Sequence, residues 1–237
     1  MKTLALIRAR QGSVGIPGKN MKLLGGKPLV QWTIDCAKHS GLFDVSDIVV
    51  SSDWDLVLDV AKSSGVVPIR RPDTLSDGFA RMEEVVDHAL SSTGREIPDQ
   101  IIILNPTSPF RLPDDIVELS QKVERSPKFT GGVSVAEQHF IEMRNISVGP
   151  RTYNGFFTNV KKTVANNRQY RRPQIVQNGA IYIVKGEFYK ATRQWFGVKN
   201  AVHLMPQERS MDIDTIWDWV AAEAYAKEIE LRNARPR

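Results

Sequence analysis

The chain has 237 residues, 41% of them hydrophobic and 25% charged, with a formal charge of +5 at neutral pH. That length fits one large α/β domain, or a core domain with a small appendage, with enough apolar residues for a substantial buried core. The basic residues are scattered, with no Lys/Arg run longer than two, so a nucleic-acid patch is weakly supported and a small polyanionic substrate accounts for the charge as well.

In chain order, Leu4-Ala5-Leu6-Ile7 reads as a buried parallel strand. It runs into Arg8-Ala9-Arg10-Gln11-Gly12-Ser13-Val14-Gly15-Ile16-Pro17-Gly18-Lys19-Asn20, where glycines expose backbone N–H groups and cations neutralise negative charge. A polyphosphate at the carboxyl end of the first strand is the natural guest. The spacing is neither a P-loop nor G-x-G-x-x-G, and the plainer reading is a glycine-rich loop whose charges face water. A helix follows over 27–40 with Leu29, Val30, Thr33, Ile34 and Ala37 on one face; the single Cys36 lies in this pattern as a buried structural thiol, and excludes an internal disulfide or a cysteine zinc site. The next elements are a strand over 48–53, a helix over 54–64, a short strand over 66–69 and a helix over about 80–91. A clear strand over 100–104 stops at the loop Asn105-Pro106-Thr107-Ser108-Pro109-Phe110-Arg111, and a helix with Ile116, Leu119 and Val123 on its face begins at Asp114.

From residue 131 the rhythm changes. A strand remains over 132–135, but 137–173 is polar, aromatic and basic without a long periodic face, and reads as a lid or dimer arm. A strand over 178–184, a helix over 187–196, a short strand over 201–205 and a closing helix over 214–231 complete the chain. Trp217, Trp219 and Tyr225 are expected to pack this last helix. Alternating strands and helices imply an α/β fold, a three-layer, open, mostly parallel sheet. The core domain is then 1–136 with 174–237, carrying 137–173 as an extension. No stretch approaches the roughly 18 apolar residues of a membrane span, and no signal-peptide core is seen, so a soluble cytoplasmic protein is expected.

Ligands of parallel α/β sheets bind at the carboxyl ends of the strands. The loop 8–20, Ser52-Asp53, 71–77, 105–111 and Asp212 with Asp214 all fall on that edge. In an extended segment residues two apart face the same way, so Asp212 and Asp214 can converge on Mg²⁺ with substrate phosphates completing its shell. Asp214 as the N-cap of the closing helix is an equal reading of the pair alone. The four histidines show no metal-ligand spacing, and there is no nucleophile elbow.

With these segments laid out, the sequence resembles the acylneuraminate cytidylyltransferases (CMP-sialic acid synthetases) and related CMP-nonulosonic acid synthetases. Six stretches match in order: 9–20, Val50-Ser51-Ser52-Asp53, Arg71-Pro72 with Leu75-Ser76-Asp77, Leu104 through Arg111, Asn178-Gly179-Ala180-Ile181-Tyr182, and Met211-Asp212-Ile213-Asp214-Thr215. The resemblance implies a Rossmann-like nucleotidyltransferase fold and transfer of CMP from CTP to an acid sugar, with release of pyrophosphate. It gives Arg10 and Lys19 as the catalytic, phosphate-stabilising residues and Asp212 and Asp214 as Mg²⁺ ligands. It gives Ala9, Gly12, Ser13, Asn20, Arg71 and Asp77 to the nucleotide, and Asn105, Arg168, Gln177 and Asn178 to the sugar, Arg168 reading its carboxylate. It also implies a homodimer in which the extension completes the neighbouring site.

The chain departs from the family pattern at three places. Val14 replaces a loop lysine, Asn105 a glutamine, and Gly78-Phe79-Ala80-Arg81-Met82 and Val176-Gln177 replace the usual residues there. The nucleotide half is therefore better marked than the acceptor. A sugar 1-phosphate or phosphonate acceptor, or a CTP-binding regulatory protein without turnover, are the alternatives.

Overall fold

The computed structural model describes residues 1–13, 15–138, 143–146, 153–157 and 174–234. The strands are β1 (Thr3–Arg8), the two-residue β2 (Leu23–Leu24) and β3 (Lys27–Pro28), β4 (Ile48–Ser52), β5 (Val67–Arg70), β6 (Gln100–Leu104), β7 (Gly131–Gln138), β8 (Met143–Ile146), β9 (Tyr153–Phe157), β10 (Gln174–Lys185) and β11 (Asn200–Leu204). The helices are α1 (Leu29–His39), α2 (Asp55–Ser63), α3 (Met82–Ser92), α4 (Pro113–Arg125), α5 (Gly186–Thr192) and α6 (Ile216–Ala234).

Seven strands form one sheet in the order β11-β7-β10-β6-β1-β4-β5. All neighbours pair parallel except β10, which runs antiparallel to both β6 and β7. The mostly parallel, three-layer fold expected from the sequence is therefore the one observed. β1 lies between β6 and β4, so its carboxyl end opens centrally on the sheet edge. β2 pairs with β3 and β8 with β9, each as an antiparallel ribbon.

Alternation along the strands feeds two cores. Ala5, Ile7, Val50, Ile102 and Leu104 face α1, α2 and α4, packing on Val30, Ile34, Val57, Ile116 and Leu119. Leu4, Leu6, Val49, Ile101 and Ile103 face the other way, onto Val85, Val86 and Ala89 of α3 and Tyr189 of α5. Each such aliphatic side chain, fully buried, contributes about 1.5–3 kcal/mol. A third cluster joins Ile16, Phe110 and Ile213 to Trp219, Ala222 and Ala226 of α6. It clamps the opening loop, the loop after β6 and the Asp212–Asp214 segment together.

Several boundaries differ from the sequence reading for physical reasons. The 80–91 helix starts at Met82, because the Glu84 carboxylate accepts the Arg81 N–H at 2.7 Å and caps the helix there. The 187–196 helix ends at Thr192, because Arg193 takes the left-handed conformation at φ 54° and turns the chain so that Trp195 reaches under α3. β10 begins at Gln174 rather than 178, pairing with β7 before a register shift between Gln177 and Tyr182. Among the described residues no helix is long and apolar enough to cross a membrane.

Candidate active site

At the carboxyl ends of β1, β4, β5 and β6 lies a cleft of about 480 Å³. One wall is the opening loop, with Gly12, Ser13, Gly15, Lys19 and Asn20; the other is Asn105, Pro106 and Thr107 after β6. Arg8, Arg10 and Arg71 form the floor, and Asp214 closes one end.

Backbone geometry holds these parts in place. A Cβ on Gly15 would stand 1.9 Å from the Asp214 carbonyl oxygen, so only glycine lets the opening loop meet the Asp212–Asp214 segment. Gly78, at φ +95°, lies against the Arg10 guanidinium, where a Cβ would be 2.8 Å from Nη1. Arg10 Nη1 also donates to the Ser76 carbonyl at 3.4 Å, and Asn20 Nδ2 donates to the Arg10 carbonyl at 2.8 Å.

The cations differ in how they are paired. Lys19, only 6% exposed, donates to the Ile213 carbonyl and to Asp214 Oδ1, the latter at 3.0 Å. Arg71, 4% exposed, donates to the Ser51 carbonyl at 2.6 Å, and Arg8 Nη2 reaches Asn105 Oδ1 at 3.3 Å. Among the described residues no carboxylate forms an ion pair with Arg8, Arg10 or Arg71. Burial, then the charge of Arg8, bring Arg71 down to about 10, and burial lowers Arg8, with the charge of Arg10 adding to it. Arg8 Nε, Arg71 Nε, Asn20 Oδ1, Ser51 Oγ and Ser108 Oγ are buried with no hydrogen-bond partner among the described residues. Such groups cost free energy unless something satisfies them, and a bound polyanion with sugar hydroxyls has the complementary chemistry.

Asp212 adjoins the cleft through Thr107. Partial burial holds its carboxyl above the ordinary carboxylate range, and the like charge of Asp214 adds to this against a Thr107 hydrogen bond and the charge of Lys19. Asp214 does not cap α6. That role falls to Thr215, whose Oγ1 accepts the Asp218 N–H while Asp218 Oδ2 accepts the Thr215 N–H at 2.7 Å. Asp214 keeps its carboxylate largely solvent-facing beside Lys19. The two aspartates thus supply hard oxygen donors whose mutual repulsion a divalent cation would relieve. A Cβ on Gly179 would be 3.0 Å from Asp212 Oδ2, so its absence leaves that carboxylate room. The pair therefore suits Mg²⁺.

Residues 4–222 match the family model described as Cytidylyltransferase. The chain belongs to the cytidylyltransferase family. It is 31% identical over 235 residues to the N-acylneuraminate cytidylyltransferase of Streptococcus agalactiae serotype V, covering 93% of this chain and 52% of that one. It is also 31% identical over 232 residues to the CMP-N,N'-diacetyllegionaminic acid synthase of Legionella pneumophila, covering 94% of this chain and 95% of the relative. The chain thus spans about half the length of the streptococcal relative and nearly all of the Legionella one. In fold it is similar to CMP:2-keto-3-deoxy-manno-octonic acid synthetase solved with CTP, with a TM-score of 0.67 and 16% identity over 97% of this chain and 100% of that one.

Within this cytidylyltransferase fold, the structure brings Arg10, Gly12, Ser13, Lys19, Asn20, Arg71, Asn105 and Asp214 into one cleft, with Asp212 adjoining. Four other residues expected at the site are not among those lining the cleft. Ala9 is fully buried, its N–H given to the Ser51 carbonyl at 3.0 Å and its carbonyl accepting from Ser52 Oγ at 2.6 Å, so its backbone ties β1 to β4. Asp77 turns its carboxylate back onto the Phe79 and Ala80 N–H groups at 2.8 and 3.2 Å, which shapes its own loop. Gln177 is exposed on β10, away from the cleft lining. Asn178 is consumed internally, its Oδ1 accepting from Ser134 Oγ at 2.6 Å and its Nδ2 donating to Ser210 Oγ at 2.9 Å. Asn178 locks β10, β7 and the segment before Asp212 together. Val14 and Arg168 lie outside the described residues, as does most of 137–173.

Arg8, Gly15 and Thr107 line the cleft although the family resemblance gives them no role. For Arg8 the signal was its place, a cation ending an otherwise apolar strand. Of the expected helix-packing aromatics, Trp219 is buried and Tyr225 stacks edge-on against Phe110 at 4.7 Å, but Trp217 is 78% exposed.

Proposed function

We propose that the protein transfers CMP from CTP to the anomeric hydroxyl of a nonulosonic, sialic-acid-like keto-deoxy sugar acid and releases pyrophosphate. The observation that carries this reading is the floor of three arginines that form no ion pair among the described residues, facing a glycine-rich loop in a chain of the cytidylyltransferase family. The missing counter-charge is what the two anionic substrates together, a nucleoside triphosphate and an acid sugar, supply. The relatives named for CMP-sialic and CMP-legionaminic acid synthesis support a nonulosonic acid as acceptor.

In the reaction the anomeric oxygen forms a bond to the α-phosphorus as its proton leaves to solvent. The bond from the α-phosphorus to the bridging oxygen breaks, and pyrophosphate departs with that electron pair. Negative charge grows on the phosphoryl oxygens and the leaving group, so positioned cations and N–H donors lower the barrier. Arg10 and Lys19 serve the phosphates, with the backbone of Gly12 and Ser13. Asn20 and Arg71 hold the cytidine, and Asn105 meets the sugar. Asp212 and Asp214 would hold Mg²⁺, which supplies charge neutralisation on the phosphates. Because Lys19 bonds Asp214, the phosphate cation and the metal carboxylate are set in one register.

The same reading keeps 1–136 with 174–237 as the catalytic core and 137–173 as a dimerisation arm. Arg168 is offered from that arm to the sugar, in a cytoplasmic homodimer with shared sites.

The test is pyrophosphate release with CTP and Mg²⁺ against N-acetylneuraminic, legionaminic, pseudaminic and eight-carbon keto-deoxy acids, with a sugar 1-phosphate included. Release with a nonulosonic acid and a matching CMP-sugar mass is expected. Release only with the sugar 1-phosphate, or none at all while CTP still binds, would contradict the proposal.

A further inference from the structure

Arg8 leaves β1 on the same face as Leu4 and Leu6, the face carrying α3 and α5. There it lies across from Ser51 of β4 and beside Asn105, whose Oδ1 takes one of its Nη2 protons at 3.3 Å. Asn105 is itself fixed, because its Nδ2 donates to the Gly179 carbonyl at 2.9 Å. So the amide presents its oxygen to Arg8 and steadies the guanidinium. The bond to Asn105 places Arg8 on the β6 side of the cleft, with the charges of Arg10 and Arg71 also close to it. The glycine loop and Lys19, the natural seat of the phosphates, form the opposite wall.

We propose that Arg8 is a substrate-binding residue on the acceptor side, where with Asn105 it receives the carboxylate of the sugar acid rather than a phosphate of the nucleotide. This rests on the cytidylyltransferase reading above. Arg8 is half-buried with its Nε withdrawn from water, and a guanidinium so placed without an ion-pair partner is costly unless an anion offsets it. Among the described residues no carboxylate pairs with it, and its Nε has no partner. The planar fork of guanidinium N–H donors matches a carboxylate two-to-two, which a lysine cannot do. An arginine in the 137–173 extension was the expected carboxylate reader; Arg8 supplies that function from the rigid end of a central strand instead, or alongside it.

The experiment compares wild type, Arg8→Gln, Arg8→Lys and Arg168→Gln. CTP affinity is read by calorimetry. Turnover is read with N-acetylneuraminic and N,N'-diacetyllegionaminic acids, each as free acid and as methyl ester. Arg8→Gln should leave CTP affinity within about threefold and raise KM for the acid at least about tenfold, the worth of a charged hydrogen-bonded contact. It should also erase the wild-type preference for acid over ester, which Arg8→Lys should restore only in part. A fall in CTP affinity as large as the rise in acceptor KM would move Arg8 to the phosphates and overturn the proposal. So would an acid-over-ester preference that survives Arg8→Gln and vanishes in Arg168→Gln. If Arg8→Gln does not fold, an unchanged KM in Arg8→Lys contradicts the two-to-two contact. A wild type that binds CTP but turns over no acid contradicts the cytidylyltransferase reading itself and takes this inference with it.

Discussion

Asp115, His203 and Arg209 behind α4, and Arg8, Arg10 and Arg71 at the floor of the cleft, are both clusters of charge withdrawn from water, but only the first contains its own counter-charge. Asp115 Oδ1 bonds His203 Nε2 at 2.9 Å, its Oδ2 meets Arg209 and also accepts the Leu112 N–H at 2.7 Å, which caps α4. Both oxygens of that carboxylate are used, and the group ties α4, β11 and the turn before Asp212 into one piece. The arginine floor has no such acid among the described residues, and it leaves buried donors unpartnered. Charge that the chain satisfies by itself is there for stability. Charge that it leaves unsatisfied at a sheet edge waits for a ligand.

This contrast can be broken from either side. The largest effect is expected in the cleft: Asp212→Ala and Lys19→Ala should each lower pyrophosphate release by about 10³-fold or more, the scale of losing one preorganised charge in a phosphoryl transfer. Asp212→Ala should leave thermal stability near wild type, and near-normal turnover in either variant would break the assignment. In the paired cluster the sign is reversed. Asp115→Ala strands His203 and Arg209 and should cost about 3–5 kcal/mol, lowering Tm by on the order of 10 °C, while CTP affinity of the folded protein stays unchanged. Loss of CTP binding with Tm intact would show that the two clusters are not separate.

The pH dependence sharpens the same point. Burial pushes the Asp115 carboxyl up, but the bonds from His203, the Leu112 N–H and Arg209 outweigh it and hold the group below the ordinary carboxylate range. Its stabilisation is therefore complete above the unfolded-state value of about 3.9 and is lost as pH falls through the lower folded value. Urea unfolding below pH 4 should show a wild-type decline that Asp115→Asn lacks; parallel curves would assign the acid sensitivity elsewhere.

Smaller effects follow from backbone and surface. Gly78→Ala forces a Cβ against Arg10 at a positive φ, and should cost about 1 kcal/mol in stability and about tenfold in kcat/KM. Equal kcat/KM would mean that Arg10 need not hold its observed position. Trp217→Ala, on an exposed side chain, should change stability by less than about 0.5 kcal/mol.

The fold was legible where burial dictates residue type. The α1 face of Leu29, Val30, Thr33, Ile34 and Ala37 is the buried one, and the central strands are continuous apolar runs. It was less legible where a single backbone state decides, as at Arg193, whose left-handed turn no glycine announces. In the site, the charges and glycines of the opening loop pointed to the cleft because a loop suited to a polyanion draws on few residue types. Asn178 and Asp77 do not line the cleft, and a short polar side chain suits a ligand or its own backbone equally well, so only three-dimensional partners show which bonds it makes here. Arg8 was visible as a cation, but only the strand register shows that it stands beside Asn105.

The most direct test of the unpaired arginine floor is thermal unfolding with saturating CTP compared with cytidine at the same concentration. A ligand present at about 100 times its Kd stabilises by about 2.7 kcal/mol, or roughly 5–10 °C in a chain of this size. A shift of that order is expected with CTP, and almost none with cytidine at the same concentration, because only the triphosphate brings counter-charge to Arg10 and the glycine loop. Equal shifts with both, or no shift with CTP, would contradict it.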